Sequence, residues 1–378
     1  MKLILEKRAE RSKKMALLSP VLAIGLTVFF GAIIFAAREM FSNTDALTTG
    51  ELLVVSGIKS MSALYVFFIE PLTTSWSIEE LIVKAAPLIL IGVGLAVCFE
   101  AKVWNIGAEG QLIMGALAGS MVPIFFTGWQ SPMTLVLMLV LGVVGGALFG
   151  AIPALLKTRF NANEILTSLM LVYVAGYLGD WLVRGPWRDP NGFNFPKSVS
   201  FEGWQLLPTF GEGRVHLGAL LAIIAALALA FMMKKSLKGF EIKIMGNAPR
   251  AGMFAGFSPK KTVWFALMLS GGLAGLAGIS EVAGPSGQLQ PTISPGYGFT
   301  AIIVAFLGRL NPIGVIFAGI MLAITYLGGE AAQMSLGISA RIGQVFQGML
   351  LFFILACDTL ILYRVKLLPS SSNIKVGG

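Results

Sequence analysis

Long apolar runs alternate with short polar connections along most of the chain. A run of about 20 apolar residues is the length needed to cross the hydrocarbon core of a bilayer, which is about 30 Å thick. The run 297–308 is too short to cross as a straight helix, so it predicts a half-helix or a re-entrant segment. The predicted membrane spans are residues 17–37, 81–99, 108–126, 133–156, 165–183, 215–233, 263–283, 297–308, 312–328 and 342–363.

One further apolar stretch, residues 52–70, differs from the others. It is interrupted by Lys59 and ended by Pro71, which favours an interfacial or re-entrant helix on the outer side over a full crossing. We therefore predict an all-α, polytopic integral membrane protein with broken or re-entrant segments. It forms a single transmembrane domain over residues 1–378, with about ten transmembrane helices and eight to ten compatible with the pattern.

Capping residues indicate where several of these helices begin. Ser258-Pro259 and Asn311-Pro312 each place a capping residue before a proline, which is favoured at the first helical position. Asn161 and Glu164 have the spacing of a capping box ahead of the fifth span.

Composition and charge support a membrane location and indicate an orientation. Of the 378 residues, 56% are hydrophobic and only 12% are charged, whereas a soluble domain has about 25% charged residues. The net charge of +9 does not come from a basic stripe interleaved with aromatic residues, so no nucleic-acid partner is predicted. Most of the 28 lysine and arginine residues lie in the segments that the predicted spans place on the same side of the membrane as the N-terminus. The positive-inside rule therefore predicts that both termini are cytoplasmic.

This orientation assigns the polar segments to the two sides of the membrane. Residues 1–16 and 364–378 are predicted to be cytoplasmic tails. Residues 234–262 form a predicted cytoplasmic loop, and residues 184–214 form a predicted extracytoplasmic loop.

The sequence carries no nucleotide-binding, metal-binding or catalytic motif that we recognise. It contains no G-x-x-x-x-G-K-[ST], H-E-x-x-H or G-x-S-x-G pattern. We therefore predict that the chain is not an enzyme and binds no cofactor or metal, so that any ATP is hydrolysed by a partner subunit. Asp180, Glu281 and Asp358 lie near span ends, and the lack of a central ionisable relay argues against an ion-coupled carrier.

The predicted cytoplasmic loop contains a segment, residues 246–258, that has the features of a short helix. Asn247 can cap it, Pro249 suits its first turn, and Gly256 can end it in the left-handed conformation. Such a helix could enter a groove on a rigid partner, or it could lie as an amphipathic helix at the membrane interface. The candidate contact residues are Gly246, Asn247, Pro249, Arg250, Ala251, Met253, Phe254 and Gly256.

A second dense segment, residues 100–111, places polar side chains and glycines between two apolar runs. It is either a simple cytoplasmic hairpin, with Glu109 near the positive end of a helix, or a broken helix that dips into the membrane. We take Asn105, Glu109, Gln111 and Asn163 as candidate residues of a translocation path.

Glycines recur at small-xxx-small spacing in two spans. This spacing indicates close helix packing, either inside one subunit or at an interface between subunits. The residues are Gly142, Gly145, Gly146 and Gly150 in one span and Gly271, Gly272, Gly275 and Gly278 in the other.

Five ordered motifs carry a family resemblance that covers roughly residues 77–330. They are VWNIGAEGQLIMGALAG (103–119), NANEILTSLMLVYVAGYL (161–178), GPWRDPNGFNFPKS (185–198), MGNAPRAGMFAGFSPKKTVWFALMLSGGLAGLAG (245–278) and GYGFTAIIVAFLGRLNPIGVIFAG (296–319). With these motifs the chain resembles the ABC-transporter permeases for nucleosides, which fall within the branched-chain amino acid and ribose permease group.

The resemblance implies an importer in a bacterial cytoplasmic (inner) membrane, built with a second homologous permease, a cytoplasmic ABC ATPase and an extracytoplasmic substrate-binding lipoprotein. Residues 246–257 would be the coupling helix that docks on the ATPase, and residues 105–111 would be a broken segment near the path. Nucleosides are the substrate that the resemblance favours. The alternative substrates are purine bases and simple sugars. The alternative mechanism is an ion-coupled carrier in place of an ABC importer.

Overall fold

The computed structural model describes residues 2–7, 13–42, 49–126, 128–211 and 213–368. Helices dominate these residues, as the apolar runs predict. The first seven are α1 (Lys13–Ser42), α2 (Thr49–Phe68), α3 (Ser75–Glu100), α4 (Ala108–Phe125), α5 (Met133–Phe160), α6 (Glu164–Arg184) and α7 (Leu217–Lys235). The remaining six are α8 (Leu237–Asn247), α9 (Pro249–Phe254), α10 (Pro259–Glu281), α11 (Tyr297–Leu307), α12 (Pro312–Leu336) and α13 (Ile342–Leu362).

The two ends of the described chain meet on one face of the helical bundle. Strand β1 (Lys2–Lys7) pairs antiparallel with strand β2 (Tyr363–Leu368), where the sequence predicted cytoplasmic tails. The part of the second tail over residues 369–378 lies outside the described residues. We call the face that carries this strand pair the terminal face, and the other end of the bundle the opposite face.

Ten described helices are long and apolar enough to cross a membrane, and α2 is one of them. Contacts of α2, however, place its middle and its last turn toward the opposite face. Lys59 pairs with Glu39 near the end of α1, and the Phe67 ring stacks on Phe346 in the second turn of α13. The following helix, α3, begins only seven residues after α2 ends, and it also starts on the opposite face.

The eighth predicted span takes the form of a half-helix. Helix α11 has 11 residues and so is about 16 Å long, roughly half of a hydrocarbon core. Its last turn lies near the terminal face, because Phe306 stacks on Phe99 in the last turn of α3. The π-helical turn Val282–Ser286 and the irregular residues 287–296 connect α11 to the opposite face. With the nine long helices other than α2, residues 287–307 therefore make ten crossings among the described residues.

Glycines let the three central helices approach closely inside this one subunit. A side chain at Gly275 would meet the carbonyl of Gly142 and the backbone of Gly146 on α5, and one at Gly271 would meet the Gly146 carbonyl. A side chain at Gly115 on α4 would strike Gly275 itself. The small-xxx-small pattern thus serves helix packing within the chain.

The capping predictions were right for two helices and wrong for a third. The Ser258 side chain accepts from Lys261 N and the Asn311 side chain accepts from Ile313 N, which confirms both starts. Asn161 instead ends α5 in the left-handed conformation, with φ at 54°. Asn163 caps α6, because its own side-chain oxygen accepts from Ile165 N.

Candidate functional site

The backbone between α3 and α4 is irregular although it lies inside the bundle. Lys102 turns the chain back with a left-handed φ of 57°, and residues 103–107 form no helix. Asn105 is fully buried and Val103 is 3% exposed. A membrane protein tolerates irregular backbone at such depth only where protein surrounds it or it lines a cavity. The structure therefore shows a broken segment rather than a hairpin at the surface.

Side chains from three elements satisfy the polar groups of this broken segment. Asn105 Nδ2 donates to Gln111 Oε1 at 2.8 Å and to Ser270 Oγ at 3.1 Å, which ties the segment to α10. The Ile106 N–H donates to Ser168 Oγ at 3.2 Å, which ties it to α6. Two of the predicted path residues, Asn105 and Gln111, thus lie in one buried network.

The third predicted residue, Glu109, joins the first turns of two helices. Its carboxylate Oε2 accepts from the Gly298 N–H at 2.6 Å, at the start of α11. Gly298 packs so closely on the Glu109 backbone that a β-carbon would not fit. The N-termini of α4 and α11 therefore meet inside the protein. Helix N-termini carry partial positive charge and unpaired N–H groups, so the buried carboxylate stabilises both ends.

A second polar cluster follows along α11, α12 and α13. The Thr300 hydroxyl lies 2.8 Å from the Tyr326 hydroxyl and donates to Gln347 Oε1 at 3.1 Å. Gln347 Nε2 donates in turn to Thr325 Oγ1 at 3.0 Å. This cluster was missed by sequence reasoning, since threonine, tyrosine and glutamine in apolar runs give no motif.

Asn163 lies apart from the other three predicted path residues. It is exposed at the start of α6 on the terminal face, where it acts as a helix cap. The residue of α6 that does reach the broken segment is Ser168, one turn further along.

The segment predicted to contact a partner contains the last two residues of α8 and all of α9, two short helices on the terminal face. Pro249 is the first residue of α9, and Gly256 has a left-handed φ of 85°, as the sequence predicted. Asn247 does not cap α9: it is the last residue of α8, and its side chain donates to Lys243 O at 2.9 Å. Gly246 abuts the carbonyl of Glu100, the last residue of α3.

The outward side of α9 carries apolar side chains that nothing in the described chain covers. Phe254 is 95% exposed and Met253 is 50% exposed. Arg250 and Ala251 are exposed beside them, whereas Gly252 is buried against Met245 of α8. Phe254 and Met253 form an apolar knob, and the contact between Gly252 and Met245 holds it in place. Such a surface is suited to a groove on a partner.

On the opposite face, the long connection between α6 and α7 covers the irregular segment that leads to α11. The Ser198 N–H donates to Leu289 O at 3.0 Å, and the Phe201 N–H donates to Gly287 O at 2.8 Å. The connection is also held by charge, because Arg214 Nη1 lies 2.9 Å from Glu80 Oε2 of α3.

Taken together, ten crossings with two helices broken inside the bundle define a polytopic membrane transport protein, since broken helices are typical of transporters. Residues 77–355 match the family described as branched-chain amino acid transport system / permease component. The chain belongs to this family, and it is the permease subunit of an ABC importer.

Three relatives illustrate the similarity. A glucose ABC transporter permease protein of Haloferax volcanii is 36% identical over 329 residues, covering 84% of this chain and 86% of the relative. A guanosine ABC transporter permease protein of Bacillus subtilis is 29% identical over 300 residues, covering 78% and 86%. A nucleoside ABC transporter permease protein of Lactococcus lactis subsp. cremoris is 29% identical over 297 residues, covering 76% and 81%.

Proposed function

We propose that this permease imports nucleosides, with energy from ATP that a separate subunit hydrolyses. The observation that carries the coupling part of the proposal is the uncovered apolar knob of α9, with Phe254 95% exposed on the terminal face. The substrate part rests on relatives named for guanosine and for nucleosides, each of which aligns over more than three quarters of this chain.

In this proposal the terminal face is cytoplasmic. Its connections carry exposed basic side chains, as the positive-inside rule requires. They include Lys102, Lys234, Lys235, Lys243, Arg250, Lys260 and Lys261. Both termini then lie in the cytoplasm, and the chain sits in the cytoplasmic membrane of a bacterial cell.

The coupling surface consists of the candidate contact residues of α8 and α9. Phe254 and Met253 would enter an apolar groove on a cytoplasmic ABC ATPase, while Arg250 would face acidic groups at its rim. Gly246 and Gly256 would hold the surface in shape, through a close backbone contact and a left-handed turn respectively.

The other partners are a second, homologous permease and an extracytoplasmic substrate-binding lipoprotein. The lipoprotein would dock on the opposite face, over the connection 185–216 that covers the irregular segment before α11. The lipoprotein would deliver substrate there. ATP binding would then close the ATPase and move α8 and α9, which reorients the spans, because ATP stabilises one of two states.

Glucose is a second candidate substrate, because the Haloferax volcanii relative is named for glucose and is 36% identical. Nucleosides and glucose share neutral, hydroxyl-rich rings, so the polar side chains of Thr300, Tyr326 and Gln347 suit either of them.

The test is uptake by proteoliposomes that contain the complete transporter, meaning both permeases, the ATPase and the lipoprotein. We expect ATP-dependent accumulation of radiolabelled guanosine or adenosine that unlabelled nucleoside inhibits. Glucose uptake that nucleosides do not inhibit would support the second candidate. Uptake that persists without the ATPase subunit would overturn the importer mechanism for this chain.

A further inference from the structure

We infer that residues 100–109 carry the movement of α8 and α9 to the half-helix α11, and that Glu109 is the positioning residue at the end of this route. The inference rests on the proposed ATPase coupling at α9. It adds the internal contacts through which that coupling would reach the membrane interior. The route begins at Gly246 and ends at Gly298, and every step is a direct contact.

The first step is the contact between α8 and the end of α3. A β-carbon on Gly246 would strike the carbonyl oxygen of Glu100, which is backbone and cannot swing aside. The absence of a side chain therefore lets the two backbones touch. A displacement of α8 toward the membrane must push on Glu100 directly, since no flexible side chain lies between them.

The second step is the short chain from Glu100 to Asn105. The Val103 N–H donates to Cys98 O at 2.9 Å, which folds the segment back on the last turn of α3. The Trp104 ring lies 5.2 Å from the Phe99 ring and 6.2 Å from the Phe306 ring, centroid to centroid. The segment therefore contacts the last turn of α11 as well as α3.

The third step is the contact of Glu109 with the first turn of α11. Glu109 is 6% exposed, and its carboxylate holds the Gly298 N–H at 2.6 Å. Residues 100–109 thus contact α11 at both of its ends, through Trp104 at one end and Glu109 at the other. An element contacted at both ends must move with that segment, because interiors are close-packed.

The route predicts that its variants separate ATP hydrolysis from uptake. In the complete reconstituted transporter, Glu109→Ala should lower the substrate molecules imported per ATP about tenfold or more, because a charge-assisted buried hydrogen bond is lost. Glu109→Gln keeps an acceptor oxygen for Gly298 and should stay within about threefold of wild type. ATP hydrolysis should stay within about twofold of wild type in both variants, because the buried Glu109 does not touch the ATPase.

Glycine variants test the other end of the route with a matched pair. Gly246→Ala places its methyl group on the Glu100 carbonyl, whereas Gly176→Ala on α6, away from the coupling surface, meets nothing within 4 Å. We expect import per ATP to fall about tenfold for Gly246→Ala and to change little for Gly176→Ala. Each variant is first checked for a single symmetric elution peak, so that misfolded protein is not scored.

A double variant decides whether the two contacts lie on one route. Gly246→Ala combined with Glu109→Ala should be no worse than the more damaging single variant, since one broken link already interrupts the route. Losses that multiply, an intact import ratio for Glu109→Ala, or equal losses of uptake and ATP hydrolysis would each overturn the inference. Failure of the wild-type transporter to couple ATP to uptake would instead overturn the proposed function.

Discussion

The side-chain amides of Asn105 and Gln111 bond each other in both directions inside the bundle. Asn105 Nδ2 donates to Gln111 Oε1 at 2.8 Å, and Gln111 Nε2 donates to Asn105 Oδ1 at 3.2 Å. The same Asn105 oxygen accepts from the Gly107 N–H at 3.0 Å. One asparagine therefore ties the backbone just before α4 to the Gln111 side chain in its first turn, where Gly107 provides no side-chain cap.

Replacing Asn105 by alanine should destabilise the protein more than replacing an ordinary helix cap. Asn105→Ala leaves Gln111, Ser270 and the Gly107 N–H without their partner in a buried site, at a cost of about 2–3 kcal/mol. Asn163→Ala removes only an exposed cap and should cost about 1 kcal/mol. Thermal unfolding in detergent micelles compares the two, and an equal loss would contradict the role given to Asn105.

The contact between α5 and α10 should be intolerant of even one methyl group. Gly275→Ala places a β-carbon against the Gly142 carbonyl and the Gly146 backbone, which overpacks the interface by about 1–3 kcal/mol. Gly25→Ala on α1 is the control, because nothing lies within 4 Å of its β-carbon. The midpoint of thermal unfolding should fall for the first variant and stay level for the second.

Asp358 links three elements at the terminal face. A variant that lacks Asp358 alone should be less stable than one that lacks both Asp358 and its partner Arg309. Its Oδ1 accepts from Ser19 Oγ at 2.6 Å and from Arg309 Nη2 at 2.8 Å. Asp358→Ala leaves the Arg309 charge without a carboxylate, at a cost of about 1–3 kcal/mol.

The double variant Asp358→Ala, Arg309→Met removes both charges and should recover part of that loss in a double-mutant cycle with the two single variants. Strictly additive effects on the free energy of unfolding would show that the pair contributes nothing.

The imidazole of His216 should make stability depend on pH between 4 and 6.5. Its Nδ1 accepts from Gly218 N at 3.1 Å and so caps α7. Burial, with a smaller contribution from nearby Arg214, lowers the pKa of His216 from 6.5 to about 4. Between pH 6.5 and about 4, His216 is protonated in the unfolded state but neutral in the folded state. The free energy of unfolding therefore falls as pH falls through this range.

This loss should reach about 1.4 kcal/mol per pH unit where only the unfolded histidine is protonated. Melting curves of wild type and of His216→Asn between pH 4 and pH 7.5 measure it. Asparagine also caps a helix but does not titrate, so the difference between the two proteins should disappear above pH 6.5. Parallel curves over the whole range would rule out His216 as the source.

The knob on α9 should be needed for binding the ATPase but not for folding. Phe254→Asp places a charge where we propose an apolar groove on the ATPase, so co-purification of the two subunits should fall about tenfold or more. Phe193→Asp is a matched control, because Phe193 is 93% exposed on the opposite face. Equal ATPase recovery with both variants would show that α9 is not the docking surface.

Local patterns in the sequence were enough to predict the crossings but not the contacts between them. The ten predicted spans follow from apolar runs, and the short eighth run correctly indicated a half-helix at α11. The capping box at Asn161 was wrong because two asparagines lie two residues apart, and spacing alone does not say which one caps α6.

The buried site depends on pairs that lie far apart along the chain. Asn105 and Ser270 are separated by 165 residues, and Glu109 and Gly298 by 189. No local period or turn signal connects such residues, because their approach is decided by how whole helices pack. The short helix α9 could be predicted, because Pro249 and Gly256 mark its start and end within a polar loop.

The pairing of β1 with β2 has a consequence for how the protein is made. Lys2 lies opposite Leu368, and Ser19 bonds Asp358 across 339 positions of the chain. Helix α1 and strand β1 therefore gain these partners only after α13 and β2 have been translated. A premature stop ahead of residue 342 would remove α13 and β2, and with them the Asp358 partner of Ser19 and the strand that pairs with β1.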